Sequence, residues 1–275
     1  MMRKSDEAIK ESEAALGRWL LNHLWNPIVP FILFVAKFSY ASLFGAMLLL
    51  GLIVTRWVWS TDWAIARYDA LLIYALALQA VMLLLRMETW AEMRVIFLFH
   101  LTGTAMEMFK VNMGSWSYPE AGFFKLCDVP LFSGFMYASV GSFITRAIHV
   151  CDMRFAPFAP KWMLFALAGL IYINFFTHHF IPDLRYALIV ASLVLFWRTR
   201  IWFRIDKTYY WLPMPLSAGL SSFFLWIAEN IGTFTHTWIY NGAGHNMIVD
   251  LQKMGSWYML LYLSFATVLM CSDMK

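Results

Sequence analysis

Apolar residues run along this chain in long blocks separated by short polar stretches. Eight blocks are long enough to be read as membrane-crossing helices: 29–54, 70–87, 92–113, 129–150, 162–181, 184–203, 211–234 and 254–272. Pro182-Asp183 makes a tight turn between the fifth and the sixth. Ahead of the first block, Ile9, Leu16, Leu20 and Leu24 recur near helical spacing with Lys10, Glu11 and Glu13 between them. That pattern predicts an amphipathic helix lying on the membrane surface. The charged opening from Arg3 to Glu13 has no short apolar core followed by a small-residue cleavage site, so it is not read as a signal peptide.

Part of the pattern occurs twice. Glu107, Trp116, Tyr118 and Asp128 return as Glu229, Trp238, Tyr240 and Asp250, each shifted by 122 positions. Ala121-Gly122 returns as Ala243-Gly244, and Ser142-Phe143 as Ser264-Phe265. Both copies run from the end of one apolar block, through a polar loop, into the next block. Blocks three and four therefore match seven and eight, while the first two blocks of each half correspond more weakly. An offset of four blocks preserves direction, which predicts a parallel repeat of four plus four spans about an axis along the membrane normal. The expected organisation is an interfacial N-terminal helix over residues 1–26, a first membrane repeat over 27–150 and a second over 151–275.

Composition sharpens this reading. Hydrophobic residues make up 61% of the 275 residues and charged residues 14%, outside the range of soluble domains, so the expected class is an all-α polytopic transmembrane bundle. The net charge of +4 is spread over many loops rather than gathered in one patch, which argues against a nucleic-acid partner. With both termini placed in the cytoplasm, fourteen Lys and Arg residues fall on that side and six on the other. That asymmetry favours the orientation and puts loops 114–128 and 236–250 on the outer face. Cys127, Cys151 and Cys271 have neither metal spacing nor a disulfide pattern.

Candidate chemistry centres on the repeated positions. An ionisable side chain inside a span costs about 2.5–3.5 kcal/mol on insertion scales and so faces a polar interior. His100, Thr104 and Glu107 share one helical face. If the two halves pack together, Glu107 and Glu229 meet, and two carboxylates in a low-dielectric site hold one proton between them, which suits general acid and base catalysis. Asp128 and Asp250 are further catalytic candidates, although a carboxylate that opens a helix also serves as its cap. Trp116, Tyr118, Trp238 and Tyr240 are expected to wall a lipophilic pocket or to stabilise a cation, with interfacial anchoring as their other role. His100, His178, His179 and His236 complete the candidate binding set. His178 and His179 are adjacent, and neighbours on a helix point about 100° apart, so they are not expected to bind one metal together. His236 and His245 stand where the first copy has Gly114 and Phe123, breaking the internal symmetry. No histidine spacing forms a metal motif; a metal site would have to gather scattered His100, His178, His236 and Glu107, and neither metal nor cofactor is expected. Lys37, within the first block, is expected to snorkel or to face a cavity.

Several stretches carry a resemblance: EMFKVNMGSWSYPE at 107–120, VPLFSGFMYASVGS at 129–142, INFFTHHFIPDLRY at 173–186 and WIAENIGTFTHTWIY at 226–240. Together they resemble the YoaT-like bacterial integral membrane proteins, a family of unknown function. The resemblance implies a multi-pass protein of the bacterial inner membrane and implies no reaction. A shorter likeness, in Glu107, Trp116, Tyr118 and Val129-Pro130-Leu131, is similar to membrane-bound carotenoid hydratases; the second copy has Leu251-Gln252-Lys253 in place of the Val-Pro-Leu. The resulting expectation is an enzyme that hydrates, cyclises or isomerises a lipophilic, isoprenoid-like substrate with these carboxylates, its partners being membrane lipids and that substrate. The competing expectation is a secondary transporter with a paired acidic site.

Overall fold

The computed structural model describes residues 4–23, 28–241 and 248–271. Helix α1 covers Lys4–His23, α2 Val29–Ala41, α3 Leu43–Val58, α4 Arg67–Leu84 and α5 Trp90–Asn112. The second half continues with α6 Phe132–Val150, α7 Lys161–Thr177, α8 Arg185–Phe196, α9 Met214–Phe234 and α10 Gln252–Cys271. Short strands β1 Trp116–Ser117, β2 Lys125–Leu126, β3 Val129–Pro130 and β7 Ile239–Tyr240 lie at one end of the bundle. Strands β4 Arg154–Ala156, β5 Arg200–Ile205 and β6 Thr208–Pro213 form an antiparallel sheet at the other.

The chain is mostly helical, and each predicted apolar block contains a helix. The expected eight spans are not what those helices present. Among the described residues, only α4 and α10 are by themselves long and apolar enough to cross a bilayer. Helices α2 and α3, expected as one span, are bent by 69° at Ser42 and would count together as a third. At the bend the Ser42 hydroxyl and the Ser42 amide both donate to the Phe38 carbonyl at 2.9 Å, a back-bonded arrangement that favours helix bending. Helices α7 and α8 are short; α8 has 12 residues, or about 18 Å of rise. Helices α5, α6 and α9 are long but polar along part of their length. The sixth block, expected to run to residue 203, stops at Phe196, because Arg200–Ile205 alternates as a strand and pairs with Thr208–Pro213.

The tightest helix contact joins α5 to α6. A Cβ on Gly134 would lie 2.4 Å from the Thr104 hydroxyl, and one on Gly103 would lie 2.6 Å from Tyr137, so the two backbones approach only because these positions carry no side chain. Around this pair, Phe99, Ala138, Leu164, Ile171 and Tyr262 form one core, while Phe44, Tyr68, Tyr118, Phe132 and Trp238 form another beneath the loops. A third core joins Leu20 of α1 to Leu33 and Phe203. Its polar centre is Lys37, which neither snorkels nor faces a void: its ammonium lies 2.8 Å from Glu13 and donates to the Arg204 carbonyl at 2.9 Å. The N-terminal helix thus docks through Glu13, Gly17 and Leu20 while Leu16 stays exposed. Leu24 and the side chain of Ile9 lie outside the described residues.

Candidate functional site

Helices α5 and α9 end in the same way. The amides of Met113, Gly114 and Ser115 donate to the carbonyls of Phe109, Val111 and Lys110; those of Thr235, His236 and Thr237 donate to Ile231, Thr233 and Gly232. Each turn passes through a left-handed residue, Gly114 at φ 68° and His236 at φ 51°. Glycine takes this conformation freely, whereas histidine does so at about 1–2 kcal/mol. His236 is exposed and lies off the cavity described below, so its visible contribution is this turn. The chain then forms β1 and β7, which pair antiparallel with Trp116 opposite Tyr240 and Ser117 opposite Ile239.

This pairing brings the candidate aromatics and acids together. Glu107 is 5% exposed and accepts three bonds: Trp116 Nε1 at 2.7 Å and Tyr118 OH at 2.8 Å on Oε2, and Tyr137 OH at 2.8 Å on Oε1. Glu229 accepts Tyr240 OH at 2.6 Å. The Trp116 and Tyr240 rings meet edge to face at 5.7 Å, so two ring systems in contact hold one carboxylate each. Burial, and then the adjacent carboxylate, push the Tyr118 and Tyr240 phenols well above the ordinary phenol range. Both therefore stay protonated and act as donors.

Both acids line one cavity of about 760 Å³, a volume in the range of sites for drug-sized ligands. Its wall is mostly apolar, with Phe38, Leu48, Val140, Phe143, Leu220 and Phe224 contributed by the four helices α2, α3, α6 and α9. Its charged lining is Glu107, Glu229, Lys110, Lys253 and Arg185.

The basic groups have an unusual set of partners. Lys110 is 5% exposed, and its ammonium lies 2.9 Å from His178 Nε2 and 2.8 Å from His179 Nε2. The two rings do not diverge as neighbours on a helix would, because α7 stops at Thr177 and both lie in the turn after it, 4.3 Å apart. His178 Nδ1 faces the Asn174 carbonyl at 2.8 Å, which assigns the proton to Nδ1 and leaves Nε2 as the acceptor. Burial lowers the pKa of both rings, and the neighbouring Lys110 charge lowers it further, so both stay neutral near pH 7. Lys253 sits over the Tyr240 ring at 4.4 Å and the Trp116 ring at 5.5 Å. Arg185 pairs with Asp183 at 3.1 Å, and Asp183 also accepts from Asn174.

The remaining candidates stand apart from the cavity. His100 lies against Gly134 with its ring tilted on Phe135 at 4.5 Å, and its Nδ1 is buried and unpartnered among the described residues. Asp128, at φ 63°, occupies the two-residue turn between β2 and β3 and is exposed. Asp250 is exposed and accepts the Gln252 amide at 2.8 Å, capping the start of α10. Among the described residues, no three His, Cys, Asp or Glu side chains are grouped to hold a metal. Ala243, Gly244 and His245 lie outside the described residues.

Residues that sequence reasoning passed over supply much of the wiring. Tyr137 is the third donor to Glu107, and Lys110 follows that acid by three positions, a neighbouring helical face that would have flagged it. At the start of α4, Arg67 donates to Glu120 in the first loop at 2.7 Å and to Thr237 in the second at 3.1 Å. The next residue, Tyr68, donates to the Thr237 carbonyl at 2.7 Å, and Asp69 accepts the Phe123 and Phe124 amides. Three consecutive residues therefore fasten both loops beside the cavity.

Comparison with known proteins yields a family without a reaction. The chain is similar to "Uncharacterized protein YoaT" of Bacillus subtilis (strain 168), with 43% identity over 210 residues, which is 76% of this chain and 80% of that protein. No solved structure matches. A family model described as "Protein of unknown function (DUF817)" matches residues 30–265. The chain belongs to that family.

Proposed function

We propose that this protein is a membrane enzyme that binds a lipophilic molecule in the central cavity and transforms it with the Glu107–Glu229 pair. The observation that carries the proposal is that two acids, held only by neutral Trp and Tyr donors, line one largely apolar cavity. In this reading a single proton is shared between them. The protonated acid adds its proton to a carbon–carbon double bond, and the Trp116 and Tyr240 faces stabilise the resulting carbocation. The ionised partner removes a proton from an attacking water, giving a hydration in which the elements of water are gained and no cofactor is consumed. Loss of a proton from carbon instead gives isomerisation or, with ring closure, cyclisation. An isoprenoid-like substrate suits this chemistry because it provides substituted double bonds.

The proposal includes a multi-pass arrangement of eight helical passages in the inner membrane, with both termini cytoplasmic and the cavity mouth in the outer half. It is supported by a helix in each apolar block and by the smaller number of basic residues on the outer side, where only Arg56, Arg67, Lys110, Lys125, Arg185 and Lys253 fall against fourteen on the cytoplasmic side. The proposed four-plus-four repeat is supported by the matched turns after α5 and α9 and by strands that pair at their equivalent positions, Ser117 and Ile239. The same features favour a second reading, a secondary transporter, because duplicated halves around an acidic pair are common in transporters.

An untargeted lipid and isoprenoid profile separates the readings. A precursor that accumulates without the protein, and a product that appears only with it, is the result expected of the enzyme. Identical profiles combined with proton-coupled solute uptake that disappears in Glu107→Gln would replace it with the transporter.

A further inference from the structure

The cavity wall is apolar, yet one end carries three cations, and two of them, Lys110 and Lys253, have no close ion-pair partner among the described residues. Lys110 directs two of its three N–H bonds to His178 and His179, both neutral, and its remaining close contact is the Phe175 ring at 4.6 Å. Lys253 rests on the Tyr240 and Trp116 rings. Among the described residues neither lysine forms an ion pair; only Arg185 does, with Asp183. Glu107 and Glu229 take their hydrogen bonds from Trp116, Tyr118, Tyr137 and Tyr240 and bond to neither lysine, although Glu229 lies near enough to Lys253 to attract it. A buried ammonium without a close counter-ion is costly, and Lys110 is in that position beside a second, half-buried lysine, Lys253, that lines the same space.

We infer that this end of the cavity holds the anionic head of an amphiphile, a carboxylate or a phosphate ester, while its hydrocarbon tail occupies the apolar wall between Phe38, Phe143 and Phe224. The inference rests on the proposed cavity function and names the chemical class of its ligand. His178 has a positioning role: Asn174 fixes its tautomer, and its Nε2 holds the Lys110 ammonium so that the third N–H is free for the head. The head and the acid pair lie at the same end, bridged by Trp116 and Tyr240, so the reacting double bond would be close to the head rather than far along the tail.

Trp116, Trp238 and Trp257 line the cavity and report occupancy. The full-length protein in uncharged phosphatidylcholine nanodiscs is titrated with ω-brominated dodecanoate, dodecyl phosphate and dodecanol, and tryptophan quenching is read. Both anions are expected to bind at least about tenfold tighter than the alcohol, the margin of a charge-assisted bond over a neutral one. Lys110→Met/Lys253→Met is expected to erase that margin while the alcohol still quenches saturably, and Lys110→Arg/Lys253→Arg is expected to keep most of it. Lys253→Met alone, at the half-buried start of α10, is expected to lose part of the margin and serves if the double variant does not fold. Equal affinity of the wild type for all three ligands overturns the anionic head and leaves the cavity reading standing. An absence of saturable quenching by any of them overturns both. Displacement of dodecyl phosphate by inorganic phosphate at equal concentration would assign the site to a free anion and overturn the amphiphile.

Discussion

Two buried acids at opposite ends of the bundle show how the same side chain takes different roles. Glu88, just ahead of α5, pairs with Arg146 at 2.6 Å, accepts Ser142 at 2.8 Å and is bonded by Gln79. Glu107, near the end of α5, has three neutral donors and no cation. In the first region the charge is cancelled on the spot, and the network joins α4, α5 and α6. In the second it is left uncancelled beside an open cavity. A buried acid that is neutralised by its own neighbours has nothing left to offer a ligand; one that is solvated only by phenols and an indole retains a proton-transfer role. Glu13 with Lys37 falls into the first group, while Glu229, bonded by the neutral Tyr240 with the Lys253 charge nearby, stands between the two.

Breaking each region should have opposite consequences. Arg146→Ala strands Glu88 as a buried charge and is expected to cost about 3–5 kcal/mol of stability, read as a large fall in the unfolding midpoint. Glu107→Gln keeps the shape of the side chain and is expected to reduce turnover by about 10²–10⁴-fold while moving that midpoint little. If the order were reversed, with Arg146→Ala harmless and Glu107→Gln unfolding the protein, the division between the two regions would fail. A smaller effect separates the acids from each other. Tyr240→Phe takes from Glu229 its one bonded phenol and is expected to cost about 1–2 kcal/mol, more than Tyr118→Phe, because Glu107 keeps Trp116 and Tyr137.

The smallest expected effect is a pH dependence. Burial and Lys110 hold His178 and His179 below their ordinary value near 6.5, so the unfolded chain binds more protons than the folded one on the acid side. Their contribution to stability is therefore complete above about pH 6.5 and is lost as pH falls through the lowered values. His178→Gln/His179→Gln should flatten that acid limb in a denaturation series; an unchanged limb would remove the histidines as its cause.

Periodicity located the helices well because a helix buries a face every three to four residues whatever lies outside it. It could not show that α2 and α3 are bent at Ser42, since the apolar block runs on through the bend, nor that residues 200–205 leave the apolar block to form a strand. The shared site was legible through Glu107, Trp116, Tyr118, Glu229 and Tyr240, because two acids and their aromatics recur at one spacing. Asp128 and Asp250 recur at that spacing too, yet one sits in a hairpin turn and the other caps a helix, so recurrence alone does not mark chemistry. The convergence of His178 and His179 on Lys110 was hidden by the assumption that the helix continued through them. Tyr137 and the Arg67 strap were hidden because their partners lie far away in sequence and depend on how α4, α6 and the loops pack.

The most direct measurement is made on one set of membranes carrying Glu107→Gln/Glu229→Gln, with protein abundance, unfolding midpoint and lipid profile read together. The account predicts abundance and midpoint close to wild type and a lipid profile identical to that of cells lacking the protein. A wild-type lipid profile in well-folded variant protein would show that the paired acids carry no reaction.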